Sequence, residues 1–303
     1  MQPGEATLRR LLEPFAAALA QPGTREIVVN RPGRFGVEGE QGWSWHDAPA
    51  LTFARLDAIA ILAASRSSRQ LGPDRPAASS ILPGGERIMI ARPPATPPGT
   101  ITLAIRRRAK DFTPTLAWLE AGGYFAALPS HGAAWWQRAI AAGQTVLIAG
   151  AIGSSKTTFA EALIRAIPAE RRLVTIEDTP EWLELPQENW SPLYFDGERR
   201  SATDCLQDAM RLRPDDLLFQ ELRGAEAWAF LRARVIGHRS ITTIHGADPA
   251  AALEAAALMV RQSAEGRALE AGTVHGLLRQ HIDIVAHCAR DPYRLTAVLE
   301  LRA

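Results

Sequence analysis

Residues fit for chemistry are densest in the segment 145–163, TVLIAGAIGSSKTTFAEAL. Gly150, Ala151, Gly153, Ser154 and Ser155 lead into Lys156, Thr157 and Thr158. A buried strand, a tight loop of small residues and a helix opening on lysine is the order a phosphate-wrapping loop requires. Backbone N–H groups of the loop and the positive end of the helix would surround the β- and γ-phosphates of ATP. Lys156 would reach the terminal phosphates, and the Thr157 hydroxyl would ligate Mg²⁺. The expected spacing is G-x-x-x-x-G-K-[ST], and Ser155 occupies the second glycine position. Glycine there allows close backbone approach and angles that a Cβ disfavours, so serine is expected to weaken nucleotide binding or slow turnover. A Gly/Ser turn before a helix with an incidental lysine is the plainer alternative. The strand–loop–helix context argues against it.

Nucleotide hydrolysis needs a carboxylate on a neighbouring strand, to polarise water or hold the metal's waters. Two strands end in acids: LVTIEDTPEW presents Glu177, Asp178 and Glu181, and DLLFQELRG presents Glu221. Carboxyl ends of parallel strands are where α/β sheets bind ligands. Asp178 could instead shape a turn, and Glu221 could pair with Arg223. His238 and His245 flank a further strand, SITTIH; a histidine at a strand end is commonly a hydrogen-bonding residue, although His245 near a γ-phosphate could sense nucleotide state.

The elements that must position these groups follow from periodicity and punctuation. From 131 onward, strands near 145–150, 172–178, 216–221 and 240–245 alternate with helices near 131–142, 156–166, 201–212 and 224–235, which implies a mainly parallel sheet covered on both faces. Residues 8–20 read as a helix stopped by Pro22-Gly23, and 51–65 as another. EIVVN (26–30), RFGVEG (34–39) and WSW (43–45) read as strands, with two more in 81–94 and 99–108. The chain thus divides into an α+β domain with a mostly antiparallel sheet over 1–108, a linker over 109–130 rich in Gly and Pro, and an α/β domain over 131–303.

At 303 residues, two domains are the natural expectation. Lys plus Arg number 34 against 33 acids, a net charge of +1, so direct nucleic-acid binding is not expected; RRR at 106–108 is the one basic run. Cys205 and Cys288 lie in no metal-type spacing and read as buried thiols. No apolar run reaches the ~18–20 residues that span a bilayer, and the amino terminus does not resemble a secretory signal. A soluble protein, able to dock against a membrane complex, is expected.

Taken together, these segments resemble the traffic ATPases of bacterial type IV secretion and conjugative DNA transfer, within the superfamily that also drives type II secretion and type IV pili. GAIGSSKTT resembles that family's phosphate loop, LVTIEDTPEWLELPQENW its acidic box, DAMRLRPDDLLFQELRGAEAW its Walker B region and GHRSITTIHGADP its histidine box. REIVVNRPGRFGVEGEQGW, ILPGGERIMIARPP and GTITLAIRRR are similar to its amino-terminal domain. The resemblance implies a RecA-like P-loop ATPase domain behind a smaller α+β domain. It implies Glu221 as the Walker B glutamate and a metal contact, Glu177 in the acidic box, His238 and His245 in the histidine box, and Arg87 and Arg106 as phosphate contacts. It further implies ATP and Mg²⁺ as cofactors, and a homo-hexamer on the cytoplasmic face of the inner membrane working with other secretion components. Two other roles stay open: a ring subunit that binds nucleotide with little turnover, and a type IV pilus motor. Three departures touch the catalytic region: Ser155 before the lysine, Gln220 where glycine usually precedes the Walker B glutamate, and a histidine box one residue short.

Overall fold

The computed structural model describes residues 4–39, 41–67, 70–107, 113–182, 185–196 and 199–302. The chain divides into two units, Met1–Phe112 and Thr113–Ala303.

The first unit begins with α1 (Glu5–Leu11) and α2 (Ala16–Ala20), followed by β1 (Glu26–Arg31), β2 (Arg34–Gly39), β3 (Gly42–Asp47) and α3 (Phe53–Arg66). It ends with β4 (Ala77–Ile81), β5 (Arg87–Ala91) and β6 (Thr102–Arg106). The six strands form one sheet in the order β3-β2-β1-β6-β5-β4, with every pairing antiparallel. Alternation does the sorting: Ile27, Val29, Ile88, Ile90, Leu103 and Ile105 point to one face, and Leu8, Phe15, Leu56, Ile59 and Ala63 cover it. Thr52 caps α3 by accepting from the Arg55 N–H at 3.2 Å. The segment 81–94, read from sequence as a single strand, turns instead. Gly84 and Gly85 close a hairpin between β4 and β5, and the Glu86 carboxylate lies over Gly84, where a Cβ would have to displace it.

The second unit contains α4 (Leu116–Ala121), α5 (Ala133–Ala141), β7 (Val146–Gly150), α6 (Lys156–Arg165), β8 (Leu173–Glu177) and β9 (Trp190–Tyr194). Next come α7 (Ala202–Leu212), β10 (Asp216–Phe219), β11 (Glu221–Leu222), α8 (Glu226–Val235) and β12 (Ile241–Ile244). It closes with α9 (Pro249–Gln262), α10 (Ala271–His281), β13 (Ile284–Ala289) and β14 (Arg294–Glu300). Parallel pairings run β9-β8-β10 and β11-β12-β7-β13, and β14 adds an antiparallel edge. The two sheets touch at both ends of β10: Leu217 N donates to Arg239 O at its start, and Thr243 Oγ1 donates to Gln220 O just past its end. β7, β8, β10 and β12 are buried along their whole length, as expected of parallel strands sandwiched between helices.

Four strands, β4, β9, β13 and β14, were not foreseen from the apolar pattern. β9 contains Pro192, which removes a ladder N–H and suits only an edge strand, so its sequence reads as a loop. β14 sits on the opposite edge. The expected linker over 109–130 is corrected as well. Residues 109–112 lie outside the described residues, and the remainder belongs to the second unit. Thr115 caps α4 through the Trp118 N–H, and Leu116, Leu119, Tyr124 and Phe125 are buried in a core with Trp136 and Phe159. Its glycines and prolines mark turns within a packed element.

Candidate functional site

β7 ends at Gly150, and α6 starts at Lys156. A Cβ on Gly150 would sit 2.5 Å from the Cys288 carbonyl oxygen and 2.4 Å from Ser154 Oγ, so this close approach requires glycine. Gly153 has φ 72°, and Ser155 has φ 63°, ψ 20°, both left-handed. Thr157 is exposed on the first turn of α6, and Thr158 is partly exposed.

Lys156 is mostly buried beneath the loop. Its Nζ donates to the carbonyls of Gly150 (2.9 Å) and Ala151 (2.8 Å), and to His245 Nδ1 (3.2 Å). Nδ1 also lies 3.3 Å from the Gly150 carbonyl oxygen, and Nε2 lies 2.9 Å from Glu221 Oε1. Glu221 Oε2 accepts from Arg223, whose other amino group reaches Asp178 Oδ2 at 2.8 Å. A continuous relay, Lys156–His245–Glu221–Arg223–Asp178, therefore spans the carboxyl ends of β7, β12, β11 and β8. Burial lowers the Lys156 ammonium below the ordinary lysine value, and the Glu221 charge opposes that shift. The guanidinium of Arg223 is held above its ordinary value by Glu221 and Asp178 against the cost of its burial.

Parallel register explains which groups meet. Ile241 to Ile244 pair with Val146 to Ala149, which carries His245 beside Gly150. Glu221 pairs with Thr243, one residue before Ile244. His238 lies before the strand begins, with the whole of β12 between it and His245. The short segment of the histidine box lies at that far end too. There Arg239 pairs with Asp216 at 3.0 Å, so this departure does not touch the phosphate loop.

Glu177 is fully buried at the end of β8. Its Oε1 accepts from Thr175 Oγ1 (2.7 Å), and its Oε2 accepts from the backbone N–H groups of Glu181 (3.0 Å) and Trp182 (3.3 Å). These bonds brace the acidic loop, and Asp178 is the carboxylate of that box which joins the relay. Residues 183–184 of the box lie outside the described residues. Gln220 also takes a bracing role instead of crowding the site: its Oε1 accepts from Asp178 N at 3.1 Å and lies 3.5 Å from Thr179 N. In the first unit, Arg87 and Arg106 stand directly opposite each other on β5 and β6, with Glu26 opposite Arg106 on β1. Cross-strand partners share a face, and this one is opposite to that covered by the helices.

Three participants gave no usable sequence signal. Arg223 appeared only as an alternative partner for Glu221. Tyr124 falls in the expected linker, yet its hydroxyl lies against the loop at Ser155. Arg290, just past β13, places its guanidinium 3.8 Å from where a Cβ on Gly153 would stand.

The chain is similar to known proteins along most of its length. Residues 128–296 match the family described as Type II/IV secretion system protein. The chain is 36% identical over 314 residues to the type IV secretion system protein VirB11 of Bartonella quintana, covering 92% of this chain and 88% of the relative. It is 37% identical over 290 residues to PtlH of Bordetella pertussis, also a type IV secretion system protein, covering 88% of this chain and 86% of the relative. The crystal structure of the VirB11 ATPase of the Brucella suis type IV secretion system, in complex with sulphate, superposes with a TM-score of 0.53 at 30% identity over 98% of this chain and 95% of that one. The pilus retraction motor PilT with bound ADP superposes with a TM-score of 0.61 at 17% identity over 91% of this chain and 77% of that one, a likeness of fold.

Proposed function

This chain belongs to the type II/IV secretion system protein family, among the type IV secretion ATPases, and we propose that it hydrolyses ATP at the Lys156–His245–Glu221 cluster to drive a type IV secretion machine. The observation that carries this reading is the relay itself. A lysine at a phosphate loop, a histidine and a carboxylate from three strands converge at one sheet edge.

Lys156 is now satisfied by two loop carbonyls and His245. A nucleotide would draw its ammonium to the terminal phosphates and release His245 and Glu221. Glu221 then takes the proton of the attacking water, with Arg223 holding Oε2 and leaving Oε1 to face the reaction. Backbone N–H groups of residues 151–157 take the phosphates. The first unit is read as an α+β domain and the second as a RecA-like domain.

The residues fit a magnesium ion that arrives with its nucleotide. Among the described residues, no group of three His, Cys, Asp or Glu side chains is arranged to hold a metal. Thr157 offers an exposed hydroxyl at the loop, and Asp178 Oδ1 and Ser154 Oγ are buried without a hydrogen bond. Magnesium retains several waters and binds through phosphates with one or two protein oxygens. It would neutralise charge on the phosphates, with the Thr157 hydroxyl as its protein ligand and Glu221 close by.

The working form is a homo-hexamer on the cytoplasmic face of the inner membrane, acting with other secretion components. No described helix is long and apolar enough to cross a membrane.

Steady-state ATP hydrolysis by the purified chain, with native mass determined in parallel, tests the reading. Glu221→Gln should lower kcat about 10²- to 10⁴-fold while nucleotide still binds, the range expected for loss of a general base. Full turnover in that variant would overturn the assignment. Tight ATP binding without turnover in the parent would instead support a nucleotide-holding ring subunit.

A further inference from the structure

Among the described residues, Ser155 and Arg213 alone adopt positive φ without being glycine. Arg213 ends a helix, whereas Ser155 sits in the phosphate loop one residue before Lys156. For an L-residue the left-handed region costs about 1–2 kcal/mol, because Cβ crowds the following carbonyl. Such a conformation persists where its surroundings over-determine it.

Those surroundings are specific. Ser155 Oγ donates to the carbonyl of Ser154 at 2.6 Å and lies 3.4 Å from the Tyr124 hydroxyl. Tyr124 is itself held fast. It is 3% exposed, its ring packs against Phe159 of α6 with centroids 5.4 Å apart, and its carbonyl accepts from Leu295 N at 2.8 Å. Its hydroxyl also meets the buried Cys288 thiol, the residue whose carbonyl crowds Gly150. Burial, then the Cys288 neighbour, raises the Tyr124 phenol far above its ordinary value, so it stays protonated. One buried phenol thus stands behind both the left-handed serine and the strand that closes on Gly150.

We propose that Tyr124 is a positioning residue for nucleotide binding: with the Ser155 hydroxyl it replaces the missing loop glycine, holding residue 155 left-handed so that the loop N–H groups face the phosphates. The inference rests on the nucleotide-binding reading above. A glycine would reach this conformation freely and also leave it freely. The braced serine is confined to it, which lowers the ordering cost of binding.

Affinity for a fluorescent N-methylanthraniloyl ADP with Mg²⁺, measured by anisotropy on the full chain, tests this. The set is the parent, Tyr124→Phe, Ser155→Ala, Ser155→Gly and the Tyr124→Phe/Ser155→Gly double variant. Loss of one supporting hydrogen bond should weaken binding about 5-fold in Tyr124→Phe and in Ser155→Ala. In the Ser155→Gly background, Tyr124→Phe should change affinity less than about 2-fold, because there is no hydroxyl left to brace and the two sites couple. Melting temperatures, read alongside, should show the ring packing on Phe159 retained. Equal weakening by Tyr124→Phe in both backgrounds, or parent-like affinity in Ser155→Ala, overturns the proposal. A parent that binds no ADP overturns the nucleotide reading, and this inference with it.

Discussion

At Gln220 a bulky amide stands where glycine was expected, and its position decides what it does. The side-chain Oε1 receives the Asp178 N–H at 3.1 Å, next to Thr179 N, which ties the acidic loop to β10. Gln220→Gly should therefore destabilise the fold by about 1–3 kcal/mol, the cost of leaving a buried donor unpaired, without raising kcat. Denaturant unfolding and steady-state hydrolysis measure the two halves of that statement. A faster enzyme of unchanged stability would restore the crowding interpretation. Glu177 makes a similar point. A fully buried carboxylate accepting from Thr175, Glu181 and Trp182 is a brace, and Glu177→Ala should cost about 1–3 kcal/mol in urea unfolding, as leaving buried donors unpaired does. A loss below 1 kcal/mol would show that the acidic loop holds itself.

Among the elements, helix starts are the most local feature and the easiest to read. Ser201 and Asp204 form a reciprocal capping box at the start of α7, and Asp248 caps α9 through Ala251 N. Ser201→Ala should lower stability by about 1 kcal/mol, seen as a fall in Tm; an unchanged Tm would mean that the packing of α7 alone sets its start. Strands were legible where burial made them continuously apolar, as in β7 and β8, or alternating, as in β1 and β6. They were not legible where the edge position allowed irregular composition, as with Pro192 in β9. The turn at Gly84-Gly85 is closed by backbone bonds between Leu82, Gly85 and Glu86, with Gly85 left-handed. The strand before it, β4, was missed because its Ala-Ala-Ser-Ser composition carries little apolar pattern.

For the whole molecule, the division at Phe112/Thr113 carries a consequence. The stretch 113–130 supplies Leu116, Leu119, Tyr124 and Phe125 to the core around Trp136 and Phe159. A fragment spanning 113–303 should melt cooperatively, and one spanning 131–303 should not, since it would expose that core; circular dichroism melts of both settle it. Cys288 reports on that core, and Cys205 on a second cluster, around Phe219 and Phe230. Burial pushes the Cys288 thiol up to about 12 and raises Cys205 as well, despite the Arg200 contact that favours its thiolate. A raised pKa means less thiolate at a given pH, on the order of one Cys288 in ten thousand at pH 8. Neither thiol should react with iodoacetamide at that pH until the chain unfolds, and prompt labelling of the native protein would contradict the burial.

The phosphate loop, the alternation of strands and helices, the acidic strand ends and the family resemblance were all legible along the chain, because each depends on neighbours a few residues apart. Tertiary structure alone decided which of these groups work together. Parallel register brought His245 to Gly150 across 95 positions and left His238 at the far end of β12. Convergence at the strand ends chose Asp178 for the relay and kept Glu177 inside the acidic loop. Side-chain packing brought Tyr124 from an expected linker to the back of Ser155. Period and spacing act along the chain, whereas proximity between strand ends exists only after the sheet has set its order and register.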